Sequence, residues 1–179
     1  MSKYLISENQ LEVLDLLDNS ITVLGCEFFG KALLNPEINL KQIKLDNNII
    51  GTEGLKNLAL GLRTMQTLDK LSLKYCNIDK NGTRYIQEII ANINSKLRSL
   101  KLQGNPLENE GTYQVLKAVR TCGESIEKIN FADVKMNLLD YSKENENSIE
   151  DKIRHEMVAI LKNSMLLIKF ECRFNQIHN

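Results

Sequence analysis

The side chains able to cut or transfer bonds are few in this chain, and their spacing argues against catalysis. His155 and Glu156 open the His-Glu-x-x-His pattern in which two imidazoles one helical turn apart hold zinc, but Ala159 stands where the second ligand is needed. This leaves His155 as an exposed helix residue. The other histidine, His178, is likewise distant from any nucleophile motif. No Walker loop, Gly-x-Ser-x-Gly elbow or Gly-x-Gly-x-x-Gly turn follows a strand. Cys26, Cys76, Cys122 and Cys172 lie about fifty residues apart, with neither Cys-x-x-Cys nor Cys/His metal spacing, and read as reduced, packed thiols. The expectation is a protein that is not an enzyme and needs no metal or cofactor.

Charge narrows the partners. Lys plus Arg and Asp plus Glu number 23 each, so no overall field draws nucleic acid or an anionic membrane, and the aromatic platforms of a nucleic-acid surface are missing. The start, MSKYLISENQ, has no apolar signal region, and no apolar run approaches the ~20 residues of a membrane span. The expected partner is a protein, without nucleic acid or membrane, and the expected compartment is the cytoplasm.

The elements that must position any surface come from a repeat. In Leu40 to Thr67, with Leu40 as position 1, apolar residues fall at 4 (Ile43), 6 (Leu45), 11 (Ile50), 19 (Leu58) and 23 (Leu62), with Asn48 at 9 and Gly54 at 15. Positions 4 and 6 lie on one face of a short strand and 3, 5 and 7 on the other. The Asn amide leaves the strand where turn backbone groups need partners, so stacked units should carry a ladder of such residues. Gly54, Leu58 and Leu62 then give the stripe of a helix that returns the chain to a parallel neighbour. Units open at Leu11, Leu40, Leu68, Leu97, Ile126 and Leu167, making one solenoid domain over 1–179. Cys76 takes the Asn position in the third unit and Val134 in the fifth. The fifth unit runs 41 residues rather than 29; the excess is assigned to a solvated loop over 138–147, followed by a Ser148 cap and a helix whose stripe is Ile149, Ile153, Met157, Ile160 and Leu161.

Units of 28 or 29 residues with Gly at position 15 resemble the ribonuclease-inhibitor class of leucine-rich repeat. That class is found in ribonuclease inhibitor, in the GTPase-activating protein for Ran, in tropomodulin-like actin cappers and in repeat subunits of ciliary regulatory complexes. The resemblance implies an α/β horseshoe arc of about five and a half repeats, with a parallel concave sheet, outer helices, and partners held by concave or edge residues. It implies a non-catalytic interaction or structural subunit of a larger assembly, in the cytoskeleton or the axoneme of a cilium. The alternative is a small-GTPase regulator resembling the Ran activator.

Positions 3, 5 and 7 of the six strands supply Lys44, Lys70, Lys74, Lys101, Lys128, Lys169 and Arg173 against Asp15, Asp46 and Glu171, a net +4 on this face of a chain that is neutral overall. Such a face selects an acidic partner, with Tyr75 and Phe174 at position 8 as aromatic anchors. A solvated sheet face with chance lysines is the competing reading. Ten residues before the first Leu and no sixth helix after the last unit suggest that partners also contact the solenoid ends.

Overall fold

A computed structural model describes residues 11–92, 96–138, 148–163, 167, 169–173 and 175. Six three-residue strands, β1 (Val13–Asp15), β2 (Gln42–Lys44), β3 (Lys70–Ser72), β4 (Ser99–Lys101), β5 (Lys128–Asn130) and β6 (Lys169–Glu171), pair in chain order, all parallel. Their register joins Val13, Gln42, Lys70, Ser99, Lys128 and Lys169 in one row, which is position 3 of every unit. Between strands run α1 (Val23–Ala32), α2 (Gly51–Leu62), a 3₁₀ turn (Lys80–Gly82) leading into α3 (Thr83–Ile90), α4 (Glu108–Cys122) and α5 (Ile149–Asn163).

The rows at positions 4 and 6 form the core. Ile43, Leu71, Leu100 and Ile129 are buried, as are Leu45, Leu73, Leu102 and Phe131, whose ring lies 6.0 Å from that of Phe170. Each such aliphatic contributes about 1.5–3 kcal/mol, and only stacked neighbours can bury it. The position-15 glycines let helices close on one another: a Cβ on Gly54 would stand 3.1 Å from Cys26 Sγ, and one on Gly111 3.0 Å from the Lys80 backbone.

The turns after the strands differ from the uniform ladder expected. Position 8 is left-handed in the first five units, in Asp18, Asn47, Tyr75, Gly104 and Asp133. The next left-handed residue falls at position 10 in the odd units (Ser20, Asn77, Lys135) and at position 12 in the second and fourth (Gly51, Glu108). The two forms interlock. Asn48 Oδ1 accepts the amides of Asn19 and Ile21, Asn105 Oδ1 those of Cys76 and Ile78, and Asn175 Oδ1 those of Val134 and Met136. Their Nδ2 groups donate to carbonyls of both units, such as Leu73 and Leu102 at 2.7 Å from Asn105. In the other direction, Gly51 and Glu108 amides donate to the carbonyls of Cys76 and Val134. Only even units need the amide side chain. The side chain of Asn19, in an odd unit, is exposed and, among the described residues, donates only to its own turn, at Leu17 O.

The long fifth unit also departs from expectation. Leu138, assigned to the solvated loop, is buried, and Arg154 Nη2 donates to its carbonyl at 2.9 Å, while 139–147 lie outside the described residues. Ser148 Oγ accepts the Asp151 amide at 3.1 Å, so the expected cap is present. Ile153 and Ile160 are buried, but Leu161 is 63 % exposed: the stripe is narrower than its apolar letters suggest. Arg120 Nε, 2.5 Å from Glu156 Oε2, ties α5 to α4.

Candidate partner-binding face

Side-chain alternation puts positions 3, 5 and 7 on the sheet face opposite the core, and this open, concave face carries two adjoining grooves. One, of about 570 Å³, is lined by residues of β1 to β5, including Lys44, Lys70, Lys74, Lys101 and Lys128. The other, of about 370 Å³, continues past Lys128 to Lys169 and Arg173. The seven cations thus share one surface. Phe174 lies outside the described residues.

The three anions are all engaged within the face. Asp15 meets Lys44 at 2.8 Å, and that hydrogen bond holds its carboxyl below the usual range while raising Lys44. Asp46, almost fully buried, takes the Lys74 amide at 2.9 Å on one oxygen and the Lys74 ammonium at 3.2 Å on the other. Glu171 is held by Lys169 at 2.9 Å, the main cause of its lowered pKa, and by Arg173 at 3.2 Å. Lys101 and Lys128 have no ion pair among the described residues, and Lys70 only a 3.9 Å approach to Asp69. The positive excess is therefore concentrated at the middle of the sheet, on β3 to β5.

Tyr75 stands at the rim. Its ring covers Gly104, where a Cβ would come within 2.1 Å of a ring carbon and where φ is 73°, so both the contact and the backbone call for glycine. Its hydroxyl accepts from Gln103 Nε2 at 2.8 Å, yet the residue remains 47 % exposed. A bulky residue at φ 53° costs about 1–3 kcal/mol, where the first, second, fourth and fifth units place Asp, Asn or Gly.

Two features of this surface went unread in the sequence. Position 2 alternates in sign, Glu12, Lys41, Asp69, Arg98, Glu127, along the edge where the strands begin. Lys41 pairs with Glu12, and Arg98 grips Asp69 at 2.6 and 2.9 Å and approaches Glu127 at 3.9 Å. A larger groove of about 680 Å³ opens there, but its charges are largely engaged with one another. The second is Ser72, buried at position 5 among the lysines. Writing the positions as a grid would have found both.

The thiols carry no chemistry to this face. Burial pushes Cys26 up to about 11 and Cys76 up to about 12, and raises Cys172. All four are free, but Cys122 is exposed at the end of α4 rather than packed, and Cys172 is half-buried. His155 is exposed, its Nδ1 2.8 Å from Asp151 O. Among the described residues, no helix is long and apolar enough to cross a membrane.

A family model described as a leucine-rich repeat matches residues 94–112. The human NACHT, LRR and PYD domains-containing protein 5 is 31% identical over 116 residues, 64% of this chain and 10% of that protein. Mouse NACHT, LRR and PYD domains-containing protein 9B is 30% identical over 62% of this chain and 11% of its own length. Mouse ribonuclease inhibitor is 25% identical over 121 residues, 67% of this chain and 26% of that protein. The chain thus spans about a tenth of the first relatives and about a quarter of the last.

Proposed function

Since this chain is a leucine-rich repeat protein of the ribonuclease-inhibitor-like class, we propose that its open sheet face binds an acidic segment of a protein partner in a non-catalytic complex. One observation carries the reading: every anion of the face is engaged internally, while Lys70, Lys101 and Lys128 are left without a close carboxylate. Exposed pairs to a partner are worth about 0.2–1 kcal/mol each, so the lysines orient and Tyr75 anchors. The strained backbone tolerated at Tyr75 supports that role. The name of the mouse relative raises ribonuclease inhibition, but an enzyme with a cationic RNA-binding surface would be repelled by these lysines.

The test is affinity capture from the cells of origin with the wild-type chain and with a Lys70→Glu, Lys101→Glu, Lys128→Glu triple variant whose fold is checked by circular dichroism. Loss of the salt-sensitive captured proteins is expected. Their undiminished capture by the folded variant would contradict the reading. On the resemblance to actin-capping and ciliary repeat subunits, we place the complex in the cytoplasm, in a cytoskeletal or ciliary assembly. Fractionation checks this: a tagged chain absent from the detergent-insoluble cytoskeletal fraction would contradict that placement.

A further inference from the structure

We propose that Ser72 and its surrounding lysines form a phosphate-binding site, and that the acidic segment taken by this face carries a phosphorylated side chain. The inference rests on the reading of the open face as the binding surface. Ser72 lies in β3, with Lys44 of β2 and Lys101 of β4 as its register partners. Lys70 lies two residues back on the same strand and face, and Lys74, in the turn just past the strand, lines the same groove. The serine is the centre of a cross of four lysines, in the groove that all five residues line.

The Ser72 Oγ is buried and has no hydrogen-bond partner among the described residues, and the residue is 6 % exposed. Buried hydroxyls are ordinarily paired, so an unpaired one lying beneath the lysine side chains of a groove points to a group that completes it when those flexible chains part. Lys44 is engaged with Asp15 and Lys74 with Asp46, which leaves as donors the Ser72 hydroxyl, Lys101, and Lys70 with only its 3.9 Å approach to Asp69. A phosphate monoester offers three acceptor oxygens and a charge near −2, matching three donors, two of them cationic. A carboxylate offers two oxygens and one charge. Lysine serves as a point charge for phosphate and does not need the bidentate geometry that favours arginine at carboxylates.

The experiment uses three fluorescein-labelled peptide pools of random flanks around a central phosphoserine, serine or glutamate, measured by polarisation at an ionic strength of about 0.15 M. The phosphoserine pool is expected to bind at least about tenfold more tightly than the glutamate pool, with Ser72→Ala and Lys101→Gln each weakening it about tenfold. Ser72→Ala should keep its amide spectrum and its melting temperature, since it removes an unpaired group rather than a contact. Equal binding of the phosphoserine and glutamate pools, or full affinity in Ser72→Ala, would overturn the site. So would inorganic phosphate shifting the Ser72 and Lys101 amides while no phosphopeptide binds, which marks a small-anion site. A partner lost by the triple lysine reversal but held equally after phosphatase treatment would overturn the phosphate site and leave the binding face standing.

Discussion

Asn105→Ala removes the amide that joins the third and fourth units. Asn105 is fully buried, accepts the Cys76 and Ile78 amides at 3.1 and 3.0 Å, and donates to the Leu73 and Leu102 carbonyls. Truncation leaves two buried N–H donors unpaired, at about 1–3 kcal/mol each, for an expected loss of about 4 kcal/mol. For a chain of this length that corresponds to a fall of about 8–16 °C in the melting temperature. Urea unfolding followed by circular dichroism gives the first number, and Asn19→Ala is the internal control. Asn19 occupies the same repeat position, but its exposed side chain bonds, among the described residues, only within its own turn, so its change should stay within about 0.5 kcal/mol. Amide exchange localises the effect: Cys76 and Ile78 should lose more protection than the global change accounts for. Equal losses in the two variants, or retained protection at both amides, would refute the interlocking-turn account.

Three further outcomes follow from the same geometry. Cys76→Asn, which would restore the apparent consensus, should destabilise by about 1–3 kcal/mol in urea unfolding, because the thiol is fully enclosed and already donates to Leu45 O at 3.2 Å. A thiol reagent at mildly alkaline pH, read by mass spectrometry, should label Cys122 first and Cys172 more slowly, and Cys26 and Cys76 only at the rate of unfolding, since burial keeps those two protonated. The carboxyl of Asp69, lowered chiefly by its hydrogen bond to Arg98, and that of Asp79, lowered chiefly by the Thr52 hydroxyl, should make acid destabilising. Their stabilisation is present above the unfolded pKa of about 3.9 and is lost as pH falls through the folded values, so Asp69→Asn should flatten the decline of the urea midpoint below about pH 5.

The rows of the sheet were legible because positions 1, 4, 6 and 11 are decided within one unit: a buried strand face admits only apolar side chains, and Ile43, Leu71, Leu100 and Ile129 fall into one row. The alternation of turns was not legible, because the role of position 9 depends on which neighbour presents N–H groups to it. Cys76 and Val134 look like lapses in a ladder when read along the chain, and are the other half of an interlocking pair when seen across it. Leu138 was misplaced because polar neighbours mark a loop without showing where it begins. The lysines were legible as a face but not as a gradient: which of them remain without a close anion depends on lateral distances such as Lys44 to Asp15, and residue letters do not carry those.

The central claim, that the open sheet face meets the partner, is tested most directly by photo-crosslinking. A benzophenone side chain is placed at Gln42 on β2 in one variant and at the exposed Lys56 on α2 in another, and each is irradiated in cells of origin. The account predicts a discrete adduct from position 42, abolished by the triple lysine reversal, and none from position 56. An adduct from position 56 alone would contradict it and move the binding surface to the helices.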